Sequence, residues 1–294
     1  MYQILALVGR YWPFHRGTGW LVERPSGLVH RWPQDKRFRL KDGRIFQGDL
    51  NDPLFRSLYL YGTYEPVVSN ALYRMVRAGD TVVDVGANIG VITTLLGRLV
   101  GSSGQVFSFE PVPQLFEILT HTISLNGLND NVQAVNVAVG NTSTNVVIFV
   151  PQKQSHACSS IKVDDFSSAI PHRCTMVSLE HTDFISKIPS LVKVDVEGAE
   201  MSVLCGAASW CSAQRPPIWV MEINHKAAKR FGYAPEDLVT WLIQYGYRHF
   251  FCSDVQRFQV FDPRSKFPSD GTVCCAPQWA IDDGRILYIQ RVIP

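Results

Sequence analysis

Apolar and polar positions alternate in two rhythms along most of this chain. From Glu65 onward, Val67, Val68, Ala71, Leu72, Met75 and Val76 recur at helical spacing, and Ala78-Gly79-Asp80 stops the helix. Thr81 to Val85 then reads as a short buried strand, and Val91, Ile92, Leu95, Leu96 and Leu99 mark one face of the next helix. The same alternation continues through "QVFSFE", a helix over Pro113–Leu125, strand-like "VQAVNVAV" and "NVVIFV", and the buried strand "LVKVDV". A helix over Met201–Trp210, the strand "IWVMEI" and a helix over Pro235–Tyr245 follow, and "YRHFFCS" and "ILYIQRVI" close the chain as strands. Strands alternating with helices of this length predict a mainly parallel sheet covered on both faces. The right-handed crossover makes it doubly wound.

The first 64 residues have a different texture, rich in Trp, Pro, Arg and Gly. In "RFRLKDGRIFQGDL" the pair Asp42-Gly43 separates two alternating stretches, which predicts a β-hairpin. No other helix of clear period stands out there than Tyr2–Tyr11. The expected organisation is a small β-containing appendage over residues 1–64 and one large α/β domain over 65–294.

Composition narrows the function classes. A hydrophobic content of 46% and a charged content of 18% are those of a globular protein with a substantial core. A net charge of +2 gives no footprint for nucleic acid. The basic run from Arg31 to Arg44 reads as an exposed strand face. Seven scattered cysteines without a C-x-x-C spacing argue against a disulfide framework or a cysteine zinc site. The apolar start Met1–Val8 has no basic flank before it and is cut short by Arg10, so neither a cleaved leader nor a membrane span is expected, and the expected location is cytoplasmic.

In doubly wound sheets ligands bind beyond the carboxyl ends of the strands, so the residues that end each strand are the candidates. The first strand ends in Gly86-Ala87-Asn88-Ile89-Gly90. Gly86 permits a tight turn and Gly90 a close approach to the helix start. Asn88 stands where a dinucleotide fingerprint has its second glycine, so pyrophosphate is not the expected ligand, which counts against a nicotinamide-dependent oxidoreductase. Asp84, just before the turn, can anchor it or face an ammonium. Glu110 follows Gly90 by about 20 residues, the interval at which an acid meets a ribose diol, and Pro111 stiffens the turn after it.

These blocks resemble a known family. "DVGANIG", "FEPVPQLFEIL…SLNGL", "AVNVAVGN", "VKVDVEGAEMSVLCGA" and "VMEINH", with "YGTYEP" upstream, are similar to the successive motifs of FkbM-family methyltransferases over about residues 61–225. The resemblance implies a class I, Rossmann-like, seven-stranded fold that uses S-adenosylmethionine and methylates hydroxyls of natural products or sugars. It implies that the Gly86–Gly90 turn holds the methionine part, Glu110 the ribose, and Val137-Ala138 the adenine. Residues 1–60 fall outside it, so any shaping of the acceptor pocket by them is open.

An aliphatic hydroxyl needs a base to take its proton. The candidates end the fourth and fifth parallel strands: Asp195 and Glu197, then Glu222, Asn224 and His225. Asp195, Glu222 and His225 are the expected catalytic groups, and Asp195 also faces the cofactor crevice. Glu65 in "TYEP" either meets the methionine ammonium or starts a helix. Glu200 reads as an acid in a helix's first turn. Asp195, Glu222 and Asn224 are hard oxygen donors, but a divalent metal is not expected. The polar stretch 151–175, with His156, Ser159 and Ser160, reads as a lid. The expected acceptor is a small molecule, with no nucleic acid and no membrane. A non-catalytic protein on the same fold is the alternative.

Overall fold

The structure, a computed structural model, describes residues 2–11, 32–151, 169–253, 257–267 and 269–286. His156, Cys158, Ser159, Ser160 and the stretch 287–293, expected as a closing strand, lie outside the described residues.

The strands in chain order are β1 (Lys36–Arg39), β2 (Ile45–Gly48), β3 (Thr81–Val85), β4 (Gln105–Phe109), β5 (Val132–Val135), β6 (Ala138–Val139) and β7 (Thr144–Pro151). They continue with β8 (Ala169–Val177), β9 (Leu191–Val194), β10 (Ile218–Ile223), β11 (His249–Ser253), β12 (Phe258–Val260) and β13 (Gly271–Ala276). One eight-stranded sheet has the order β12-β11-β13-β10-β9-β3-β4-β5. The run from β10 to β5 is parallel throughout, and β13 is antiparallel to both β10 and β11. The fold is therefore the doubly wound α/β sandwich with the class I methyltransferase strand order. The short edge strand β12 gives the sheet eight strands rather than the expected seven. The reversed strand is β13, a stretch that no strand was assigned to from sequence.

Period-two alternation sorts the strands onto two faces. Val82 of β3, Leu191 of β9 and Ile218 and Val220 of β10 join a core with the helices Pro66–Met75 and Val91–Val100. Val83, Val85, Val192, Val194, Trp219 and Met221 join the opposite core with the helix Pro235–Gln244. This parity puts Asp84, Lys193 and Glu222 on the first face, and register makes Lys193 a direct neighbour of Asp84 on one side and Val220 on the other.

"VQAVNVAV" splits between two sheets. Its first half is β5, whereas β6 pairs with β8 in a separate three-stranded sheet ordered β6-β8-β7. Of the expected lid over 151–175, residues 169–175 belong to β8, which pairs with β7 from Ala169 to Met176, and residues 152–168 lie outside the described residues. The expected helix Met201–Trp210 is broken at Gly206-Ala207 into Glu200–Cys205 and Ala208–Cys211.

The hairpin β1–β2 forms as expected, with Phe38 opposite Phe46. A helix, Pro53–Tyr61, was missed in the sequence. Its local signal is the Asp52-Pro53 pair: the Asp52 carboxylate accepts from the Leu54 and Phe55 amides at 2.8 and 3.1 Å, and proline suits the first helical position. The helix Tyr2–Tyr11, the hairpin and this helix share a core with Ile89, Val91, Val112 and Leu115 of the large sheet's helices and turns. Polar bonds fix the hairpin to the same body. Buried Arg44 pairs with Asp42 at 2.7 Å and donates to Thr94 and to the Val91 carbonyl, while the Asn126 side chain both accepts from and donates to the backbone of Ile45.

Candidate active site

A cavity of about 190 Å³ lies at the carboxyl ends of β3, β4, β9 and β10. Its lining includes Glu65, Asp84, Gly86, Ala87, Asn88, Glu110, Pro111, Val137, Ala138, Asp195 and Glu222, which the sequence singled out. Leu54 from the missed helix and Ile148 from β7 supply apolar wall.

The β3 turn sets the cavity's shape. The Gly86 and Ala87 amides both donate to the Phe109 carbonyl at 3.0 Å, which pins the turn to the end of β4. Gly86 has φ +80°, and a Cβ there would lie 1.8 Å from the Asp195 carbonyl oxygen. The two strand ends therefore cross at a contact that only glycine permits. Gly90, which is not part of the lining, has φ +88° and packs against Leu119 and Thr122 at the helix start. Among the described residues only Glu65, Asn88 and Glu197 are non-glycine residues with positive φ, at 38°, 52° and 52°. All three line this one cavity. Such backbone costs of order 1–3 kcal/mol per residue and clusters at functional sites.

Glu110 is 3% exposed and holds two turns together. One carboxylate oxygen accepts from the Asn88 amide at 2.8 Å and the other from the Val112 amide at 2.9 Å. Burial nevertheless raises its pKa to about 7. Asp84, 1% exposed, accepts from the Thr93 hydroxyl at 2.6 Å through one oxygen, and the other has no hydrogen-bond partner. Burial raises its pKa, against the pull of the Lys193 ammonium.

Lys193 was passed over in the sequence, where it sits between Val192 and Val194. It is 3% exposed, and its ammonium donates to Asp195 at 2.8 Å. The signal for it is parity: residues 193 and 195 share a strand face, so a lysine there meets the acid two positions on. Burial lowers the Lys193 pKa, but the charges of Asp195, Glu65, Asp84 and Glu222 outweigh burial and raise it. Burial likewise pushes Asp195 up, and the Lys193 charge with hydrogen bonds from Glu222 and Lys193 brings it below the usual carboxylate range. Glu222 goes the other way: burial first, then the charge and hydrogen bond of Asp195, push it up to about 10. The pair therefore divides its roles, with Asp195 beside the Lys193 ammonium the readier to ionise and Glu222 the readier to hold a proton. Glu65 is also raised by burial, and beside it burial raises the Tyr64 phenol, which the charges of Glu65 and Asp195 push further.

The remaining candidates are placed elsewhere. His225 does not line the cavity. The Asn224 side chain accepts from the Ala227 amide at 3.0 Å and caps the helix His225–Phe231, turning the chain outward, and the His225 ring pairs with exposed Asp270 at 2.8 Å. Asn224 also donates to Glu197 at 3.4 Å, and it too is absent from the lining. Glu200 is buried and does more than face a helix end: it accepts from the Gly198 amide at 3.0 Å and from the Tyr233 hydroxyl at 2.7 Å, which braces the turn behind Asp195. Among the described residues no three His, Cys, Asp or Glu side chains gather as a metal site. None of the described helices is long and apolar enough to cross a membrane.

The methyltransferase FkbM domain profile matches residues 84–249, which runs from the Asp84 strand end to the start of β11. The chain belongs to the FkbM methyltransferase family. A Beauveria bassiana protein, Methyltransferase 1, is 28% identical over 144 residues, which cover 42% of this chain and 57% of that protein. This FkbM chain thus aligns with little more than half the length of that relative. It is also similar to a putative rRNA-methylase from Clostridium thermocellum, at 15% identity and a TM-score of 0.42 over 72% of this chain and 96% of the other. A SAM-dependent O-methyltransferase from Thermotoga maritima gives 15% identity and a TM-score of 0.39 over 82% and 77% of the two chains. Within the FkbM match, the β3 turn, Glu110, Lys193, Asp195 and Glu222 all fall inside the matched span, whereas Leu54, Tyr64 and Glu65 precede it.

Proposed function

We propose that this FkbM protein is an S-adenosylmethionine-dependent O-methyltransferase whose acceptor is a hydroxyl of a small molecule, a natural product or sugar. The observation that carries this reading is one cavity, within the FkbM-matched span, that gathers the glycine turn, Glu110 and the acids Asp195 and Glu222 at the ends of β9 and β10. S-adenosylmethionine, when bound, supplies a methyl group on a sulfonium sulfur that an oxygen nucleophile can displace.

The donor fits the residues present. Gly86 lets the ends of β3 and β9 meet at the cavity floor, and the unpartnered oxygen of Asp84 is a buried acceptor in want of a donor such as an ammonium. Glu65 is the second acid for that ammonium. Each Glu110 oxygen keeps lone-pair capacity beyond the one amide bond it accepts, enough for a ribose diol. Val137 and Ala138 offer an adenine ring an apolar flank. Asp195 takes the acceptor's hydroxyl proton as the oxygen–carbon bond forms, a contribution of roughly 10²–10⁴-fold. Glu222 keeps its own proton and orients Asp195 through it. Lining of this acidity is also unsuited to a polyanion, which supports a small-molecule acceptor over nucleic acid.

Calorimetry and thermal melts with S-adenosylmethionine and NAD test the donor, and a mass-spectrometric screen of hydroxylated acceptors tests the reaction. S-adenosylmethionine raises Tm and NAD does not. Asp195→Asn still binds the donor, though less tightly, and transfers methyl roughly 10²–10⁴-fold more slowly. Absence of any donor-induced shift sinks the reading, full turnover by Asp195→Asn removes Asp195 as base, and loss of turnover in chelator reassigns deprotonation to a metal ion.

A further inference from the structure

Lys193 has no counterpart in the lining. Four acidic side chains surround its ammonium: Asp195 from its own strand, Asp84 from β3, Glu222 from β10 and Glu65 from the turn before the helix Pro66–Met75. Lys193 is the one cation among the described lining residues, and its ammonium is committed to Asp195 at 2.8 Å. The geometry is fixed by register. Asp84 and Lys193 are Cα partners in adjacent parallel strands, and Glu222 stands two residues beyond Val220, the partner on the other side. A charge at this position cannot swing away to solvent.

Resting on the methyl-donor reading above, we propose that Lys193 is a positioning residue that sets the charge of the methyl-transfer end of the cavity and so limits its preference for the cationic donor over the neutral product. A buried ammonium cancels one carboxylate charge at short range, where low dielectric makes each charge count more than in water. The donor carries a sulfonium that its product, a thioether, lacks. An acid-rich pocket without Lys193 holds the donor too firmly relative to the product. It also stabilises the ground state more than the transition state, in which positive charge on sulfur is being lost as its bond to carbon breaks. Only interactions stronger in the transition state speed the reaction. Lys193 therefore trades donor affinity for rate while holding the Asp195 carboxylate in place.

The test measures S-adenosylmethionine and S-adenosylhomocysteine affinities by calorimetry for the wild type, Lys193→Met, Asp195→Asn and the double variant. Lys193→Met is expected to raise the donor-to-product affinity ratio about tenfold, or about 1.4 kcal/mol. Asp195→Asn lowers the ratio, and the double variant returns it near the wild-type value. With a methylated acceptor in hand, Lys193→Met lowers donor KM and kcat together. If Lys193→Met does not fold, the difference between Asp195→Asn and the double variant gives the same quantity. Equal losses of donor and product affinity, or an unchanged ratio, overturn the assignment and leave Lys193 structural. A wild type that binds neither compound overturns the donor reading itself, a distinct outcome from an unchanged ratio in proteins that bind both.

Discussion

Replacing Gly86 with alanine would put a Cβ 1.8 Å from the Asp195 carbonyl oxygen and 2.8 Å from its carbon. Both atoms belong to backbone, so no side chain can rotate aside. Two costs add. An L-residue in the left-handed region at φ +80° costs about 1–2 kcal/mol, and overpacking against a fixed neighbour costs about 1–3 kcal/mol more. Gly246→Ala separates them, because Gly246 has φ +87° but nothing within 4 Å of its would-be Cβ, and so bears only the first cost. At about 2–4 °C per kcal/mol for a chain of this class, Gly86→Ala lowers Tm by roughly 4–20 °C and Gly246→Ala by roughly 2–8 °C. Relief of the Gly86 clash requires the ends of β3 and β9 to part where the Asp195 amide donates to the Val85 carbonyl at 3.0 Å. Donor affinity measured by calorimetry therefore falls more than about tenfold, about 1.4 kcal/mol, in Gly86→Ala and stays unchanged in Gly246→Ala. Equal Tm losses in the two variants with donor affinity intact would refute the close crossing of the strand ends.

Glu110→Gln removes the charge that two amides address and weakens donor binding by about 1.5–3 kcal/mol, read by calorimetry; an unchanged Kd would take the ribose away from Glu110. Glu222 holds its proton to about 10 when folded, whereas the unfolded side chain releases it near pH ~4.3. Its contribution to stability is complete below that lower value and is lost as pH rises toward the upper one. Glu222→Gln abolishes this loss, so its Tm relative to wild type should climb with pH from about 6 to 9, and a flat difference would contradict a protonated Glu222. Arg44→Met removes a buried guanidinium from Asp42, Thr94 and the Val91 carbonyl. Because Asp42 is 25% exposed, the loss is roughly 2–4 kcal/mol rather than the ~3–5 of a fully buried pair, and a denaturant midpoint unchanged from wild type would show that the hairpin is not clamped there.

The strand ends that form the candidate site were legible because each is local. A buried run, a glycine turn and an acid follow one another within a few residues, as at Val85–Gly90 and Phe109–Pro111. Residues whose role depends on a partner strand were not. Lys193 reads as one polar residue in an apolar strand until β3 and β10 place Asp84 and Glu222 beside it. His225 shows the opposite case: it follows a strand end, but the Asn224 cap starts a helix there and the ring is not part of the cavity lining. β13 escaped because "TVCCA", though bounded by Asp270-Gly271 and Pro277, is a short apolar run without alternation, which does not by itself separate a buried strand from a buried helix. β6 and β7 read as strand-like, but their separate sheet was not legible because sequence pattern distinguishes a strand from a helix and not one sheet from another. The apolar wall from Leu54 and Ile148 arises from elements far apart in the chain, and nothing at either position announces the other.

The three left-handed side-chain-bearing residues around the cavity place durability and activity in opposition at known positions. Asn88→Gly and Glu197→Gly would relax the backbone and each give up a side chain that lines the cavity. Selection for heat resistance alone would favour such exchanges. A laboratory lineage evolved only for survival at high temperature should therefore drift toward a tougher protein with an emptier cavity, and its first casualties can be named in advance.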